Sequence, residues 1–152
     1  MYQRIFVAVD GSATSRQAFN AALMLAQVMH STLQPYYAIE NPVIYFDVPG
    51  YDPSLLQTQL IAQGNALAEE FNAAMREKGV AGEVLMSEDT PVGSDVPSLL
   101  LNAAKAFNAD LIVMGTHGRR GMQRLILGSV AERCVRQSTL PVLLIPTAAT
   151  AT

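Results

Sequence analysis

One cysteine stands among the 152 residues. Cys134 therefore has no internal partner, disulfides cannot hold the fold, and a reducing, cytoplasmic setting is expected. Charge is also scarce: Asp, Glu, Lys and Arg make up 15% of the chain, while hydrophobic residues make up 50%. A composition this apolar excludes an intrinsically disordered chain. Long apolar runs are missing too. Each breaks within about ten residues, where a membrane span needs about twenty, so no membrane insertion is expected. The opening "MYQRIFVAVD" lacks a charged segment followed by a long apolar core, and no signal peptide is read there. Positive charge is not in excess either. A net charge of −3 argues against a general nucleic-acid binder.

Several phosphate-handling signatures are likewise absent. There is no Gly-Lys-Ser/Thr of a Walker loop, and no G-x-G-x-x-G of a dinucleotide site. The first loop reads "DGSATS", without the double glycine of the adenylylating Ser-Gly-Gly-x-Asp-Ser pattern.

What is present alternates. "RIFVAVD" (residues 4–10) reads as a buried parallel strand. Thr14 with Gln17 fits a capping box, and a helix follows with Phe19, Ala22, Leu23, Ala26 and Met29 or His30 on one stripe. "TLQPYYAIE" is a second strand, weakened early by Pro35. A proline-rich loop from Asn41 to Pro53 leads to a helix from about Ser54 to Lys78, striped by Leu56, Leu60, Leu67, Phe71 and Met75 and stopped by Gly79. "AGEVLMSE" is a third strand. Ser94 or Asp95 then caps a helix with Pro97 in its first turn and Leu99, Leu100, Ala103, Ala104 and Phe107 on its apolar side. "ADLIVMG" is a fourth strand, a helix runs to about Gln137, and "LPVLLIP" is a fifth. The polar tail is expected to fray.

Strands alternating with helices, each strand apolar throughout, predict a single α/β domain. Its core is a doubly wound five-stranded parallel sheet in the order 3-2-1-4-5. A chain this long buries roughly 70% of its unfolded surface, enough for one core. The domain is read as residues 1–147 and the tail as 148–152. Ligands of such folds sit at the carboxyl ends of the strands, where the connections reverse. Asp10 and Gly115 both lie at such ends and are neighbours in this order. Met24, Met29, Met75 and Met86 are expected in the core, Cys134 half-buried on a helix, and His30 at a helix end.

The fourth strand runs into "GTHGRRGMQRLILGS" (residues 115–129). Five of the eight arginines, Arg119, Arg120, Arg124, Arg133 and Arg136, fall from position 119 to 136, with Glu132 the one acid there. Glycines permit close backbone approach, Ser129 adds a hydroxyl, and a helix start adds free N–H groups and the positive end of a dipole. On residues alone, this loop is either a phosphate cradle or a tight strand-to-helix turn with surface arginines. Arg119 is best placed for phosphate, while Arg133 and Arg136 are expected to face solvent or a partner.

The spacing of Gly115, Gly118, Gly128 and Ser129 resembles the G-x2-G-x9-G-[ST] signature of the universal stress protein family, in its ATP-binding branch. "RIFVAVDGSATSRQA" resembles the family's beginning and "VAERCVRQSTLPVLLIP" its ending. The resemblance implies a Rossmann-like fold of the adenine nucleotide alpha hydrolase type, with ATP, with or without magnesium, as the ligand. Asp10 would lie near the adenosine, Ala8 and Val9 would border the base, and Ala38 would pack on adenine. Met114 would add apolar contact. Gly115, His117, Gly118 and Arg119 would line the ribose and phosphates, with Gly128, Ser129, Val130 and Ala131 holding the phosphates from the other side. It names no catalytic residue and no protein metal ligand. It implies a homodimer through the last strand, Leu140 to Ile145, and a nucleotide-dependent regulatory protein of the stress response.

Other functions compete. A slow ATPase would use Asp10 to position water or metal, but the chain lacks a Walker lysine and clear paired carboxylates. A receiver domain would leave the glycine loop without a role. A family member acting only through protein partners would not need the intact glycine motif.

Overall fold

Ile5, Phe6 and Val7 are consecutive and all 0% exposed. A strand alternates its side chains between two faces, so both faces of β1 (Arg4–Val9) must be covered. Ile5 and Val7 belong to one apolar cluster and Phe6 to the other. The computed structural model describes residues 1–40, 49–50, 52–87, 90–91, 93–117 and 127–147. Beside β1 lie β2 (Thr32–Tyr37) and β4 (Leu111–Gly115), flanked by β3 (Leu85–Met86) and β5 (Val142–Ile145). The order is β3-β2-β1-β4-β5, and every pairing is parallel, as the alternation predicts.

Helices α1 (Ala13–Met29) and α2 (Pro53–Glu77) cover one face. Phe19 of α1 and Phe71 of α2 stack there with centroids 4.0 Å apart. Helices α3 (Val96–Ala106) and α4 (Ser129–Gln137) cover the other, with Leu100, Ala104, Ala131 and Cys134 buried against Phe6, Ile112 and Met114. Of the two expected caps of α3, Asp95 is the one used, accepting from the Ser98 N–H, and Pro97 lies in the first turn as expected. His30 ends α1 in the left-handed region at φ 55°.

Four local expectations are corrected. The cap of α1 is Ser12, which accepts from the Ser15 N–H at 3.1 Å; Thr14 is inside the helix, buried, its hydroxyl 3.0 Å from that of Thr147. The third strand shrinks to two residues; ahead of it Gly82, at φ +133°, has a backbone conformation that a regular ladder does not use. That shortness is what admits Pro35 to an interior strand. β2 pairs with β3 only at Tyr36 and Tyr37, so the missing Pro35 N–H costs no bond in that ladder. Met24 is 69% exposed rather than core, since it lies off the buried stripe of α1. Cys134 is fully rather than half buried, at 1% exposed.

Burial pushes the Cys134 thiol up to about 11, against a smaller opposing pull from Arg133. That leaves about 100-fold less thiolate at neutral pH than an ordinary thiol has. Native protein should therefore react with a disulfide reagent at least about 100-fold more slowly than protein unfolded in guanidinium. Comparable rates in an absorbance assay would contradict this burial.

Candidate functional site

The carboxyl ends of β1 and β4 meet at the reversal of the winding, since α1 departs to one face and α4 to the other. At the end of β1, the Asp10 carboxylate accepts from the Ser12 N–H at 2.9 Å. The Asp10 N–H reaches Ser15 Oγ at 3.2 Å. Asp10 therefore shapes the β1–α1 turn as well as lying at the strand end. Beside it opens a cleft of about 770 Å³ between α1 and α2, lined by Asp10, Gly11, Ser12, Gln63 and Leu67, with the Arg16–Glu70 ion pair at its margin.

β4 ends at Gly115, where an added Cβ would lie 2.6 Å from the Thr14 methyl. The next residue joins three elements. The Thr116 N–H donates to the Ile145 carbonyl of β5 at 3.0 Å, and the Thr116 carbonyl accepts from the Gly128 N–H at 2.8 Å. The two halves of the glycine motif, apart in sequence, thus converge on one turn. Gly128 is the N-cap of α4 and provides no side-chain cap, whereas Ser12, Asp52 and Asp95 cap the other three helices. Among the described residues the first-turn N–H groups of Ser129, Val130 and Ala131 meet no acceptor. An anion suits that position, next to the positive end of the helix dipole.

The apolar members of the predicted set gather on one side. Ala8, Ala38, Met114, Val130 and Ala131 all belong to the cluster beneath α3 and α4. Val9 faces the opposite cluster, so it can offer this side only its backbone. Gly118 and Arg119 lie outside the described residues, as do Arg120, Arg124 and positions 41–48 of the proline-rich loop. Arg133 pairs with Asp95 at 2.7 Å and Arg136 with Glu132 at 2.8 Å. Both point away from a phosphate role, as expected. The sequence reading passed over Thr116; a hydroxyl between two strongly marked residues, Gly115 and His117, was its only signal.

The Arg133–Asp95 pair links α4 to the start of α3. The Ser98 hydrogen bonds first, and then Arg133, hold the Asp95 carboxyl down at about 2. A carboxyl depressed on folding contributes stability above its ordinary value of 3.8, lost as pH falls through about 2. Asp95→Asn should remove that proton-linked component from an acid titration followed by circular dichroism. An unchanged acid transition would contradict the assignment.

A sequence profile of the universal stress protein family matches residues 1–146. The chain belongs to the universal stress protein family. A universal stress protein of Methanocaldococcus jannaschii is 30% identical over 146 residues, covering 95% of this chain and 82% of the relative. Among solved structures, a family protein from Burkholderia pseudomallei is 40% identical with a TM-score of 0.79, covering 96% of this chain and 97% of that one. A universal stress protein in complex with cAMP is 26% identical with a TM-score of 0.68, covering 97% and 98%. Family membership accounts for the Rossmann-like sheet order found here. No helix among the described residues of this family member is long and apolar enough to cross a membrane.

Proposed function

We propose that this family member binds an adenine nucleotide, with ATP as its ligand, at the carboxyl ends of β1 and β4. The observation that carries this is the 2.8 Å bond from the Gly128 N–H to the Thr116 carbonyl. It sets the uncapped start of α4 against the end of β4, so that free N–H groups of α4 adjoin an apolar wall of Ala8, Ala38 and Met114. The first feature suits phosphate, the second a base. Asp10, Gly115 and His117 complete the described part of the site, and Gly118 and Arg119 are assigned to its phosphate side by their place in the motif. The related complex with cAMP supports an adenine nucleotide as the class of ligand.

The proposed work is regulation through binding. A nucleotide shifts a conformational or partner equilibrium only by its difference in affinity between the two states. Hydrolysis is the competing reading. Calorimetric titration of nucleotide-stripped protein with ATP, ADP, AMP and cAMP, with and without magnesium, tests binding; phosphate release on the same samples tests turnover. Micromolar ATP binding without phosphate release is the expected result. Release at a steady rate would make the protein a slow ATPase, and no binding of any of the four would defeat the nucleotide reading.

The protein is further proposed to act as a cytoplasmic homodimer joined at β5. Among the described residues that strand pairs with β4 alone, and Leu143 on it is 40% exposed. An apolar edge strand is a pairing surface. Leu143→Lys should convert a sedimenting dimer to monomer, and a wild-type monomer at high micromolar concentration would refute the pairing.

A further inference from the structure

The β5 edge of the sheet is incompletely covered on both faces. None of the four residues of β5 is buried, whereas Leu111 to Met114 of the neighbouring β4 all are. Leu143 pairs in register with Val113 and so faces the side of α1, while Val142 and Leu144 face the side of α4.

The helices beside this edge turn apolar side chains toward it. On α1, the Arg16–Glu70 pair and the Phe19–Phe71 stack mark the flank that meets α2. The Thr14–Thr147 contact marks the opposite flank, beside the end of β5. At about 100° per residue, Val28 lies about 40° from Thr14 around the helix and about 120° from Arg16. Val28 is 78% exposed, and Met24, one turn before it, is 69% exposed. On α4, Arg133 reaches Asp95 at the start of α3. Val135, two positions on, points about 160° away from Arg133, toward the edge, and is 43% exposed. Met24, Val28, Leu143 and Val135 thus follow one margin of the molecule from face to face.

Strand pairing alone would be a small contact. Four residues span about 13 Å, and a sheet with its side chains is about 10 Å deep. The product is on the order of 130 Å², far below the ~800 Å² per partner of a standard interface. A helix flank about 10 Å across on either side of the sheet makes the face about 30 Å deep, and α1 is about 25 Å long. That face is of the size a stable dimer needs. Its charge also suits a second copy. No charged residue lies from Gln17 to Met29 or from Thr139 to Thr147, so like surfaces can meet there without repulsion. A two-fold axis normal to the sheet sets the α1 side of one copy beside the α1 side of the other, and α4 beside α4, so the same residues serve twice.

We propose that a second copy of this chain covers all three layers at this edge, with Met24 and Val28 of α1 and Val135 of α4 forming part of the contact. The inference rests on the β5 homodimer reading and goes further. The strand sets the register of the two copies, and the helix flanks supply most of the buried area.

Sedimentation equilibrium over a concentration series tests this on the wild type, Val28→Glu, Val135→Glu and Leu55→Glu. Leu55 is also an exposed apolar residue, but it lies on α2, which α1 separates from this edge. Each of the first two variants should raise the dimer dissociation constant about tenfold or more, since each places two unpaired charges in one contact. Leu55→Glu should change it less than about twofold. Thermal unfolding at concentrations where all are monomers should be nearly the same for all four, because the altered side chains are exposed. An unchanged dissociation constant in either flank variant would overturn the proposal and leave strand pairing standing. An equal rise in Leu55→Glu would also overturn it. A wild-type monomer at high micromolar concentration would defeat the homodimer reading itself, and this proposal with it.

Discussion

Gly128→Val is expected to weaken nucleotide binding by about a hundredfold or more, about 3 kcal/mol, while the far-UV circular dichroism spectrum is retained. The cause is steric. A Cβ at this position would fall 2.9 Å from the Thr116 carbonyl oxygen. Both are tied to backbone, so neither yields by a simple rotamer change. The bond from the Gly128 N–H to that same oxygen would be lost or bent. Its loss lets the start of α4 move away from the end of β4, and the N–H groups of Ser129, Val130 and Ala131 no longer adjoin the apolar wall. The fold itself should survive, because Ala131 and Cys134 anchor α4 further along. Forcing a side chain into this turn should cost about 1–3 kcal/mol of stability. Calorimetry on the variant checks the first figure and thermal unfolding the second. Undiminished affinity would place the ligand elsewhere on the molecule.

Gly82→Ala is expected to cause the largest loss of stability of any glycine-to-alanine change among the described residues. Two costs coincide at this residue. Its φ of +133° lies in a region side chains rarely adopt, worth about 1–3 kcal/mol. The added Cβ would also fall 1.8 Å from the Leu33 carbonyl oxygen. Leu33 is fully buried in β2, and its N–H donates to the Ala81 carbonyl at 2.9 Å. Backbone meets backbone here, so relief requires β2 and the segment before β3 to separate, for about 1–3 kcal/mol more. The combined loss is a large part of a domain's usual 5–15 kcal/mol. The midpoint of thermal unfolding should fall by roughly 10 °C. A shift under about 2 °C would show that the segment carries little of the fold's stability.

How far these features were legible in the sequence depends on what produces them. The winding was legible, because strands buried on both faces, such as "RIFVAV", must be uniformly apolar and helices must join them. The cap of α3 was legible to within one residue, Ser94 or Asp95, since the polar cap and Pro97 lie within three positions of each other. The cap of α1 was misplaced because "GSATS" offers several hydroxyls, and only the turn made by Asp10 selects Ser12. The length of β3 was overestimated for a related reason. "AGEVLMSE" has strand-like composition, but the approach of Gly82 to Leu33 is a tertiary fact. In the site, glycine spacing pointed to Gly115 and Gly128 because their role needs no side chain. Thr116 was invisible for the opposite reason. Its work is done through Ile145, Gly128 and His117 together, and only folding brings those three to it.

The central claim is that an adenine nucleotide binds where β1 and β4 end. Its most direct test is amide chemical-shift mapping of isotope-labelled protein titrated with ATP. The account predicts that the largest shifts fall at Asp10, Ala38, Met114 to His117 and Gly128 to Ala131, and saturate together. Shifts gathered instead in the groove between α3 and the end of α4, around Lys105, Asn108 and Gln137, would contradict it, as would a spectrum that ATP leaves unchanged.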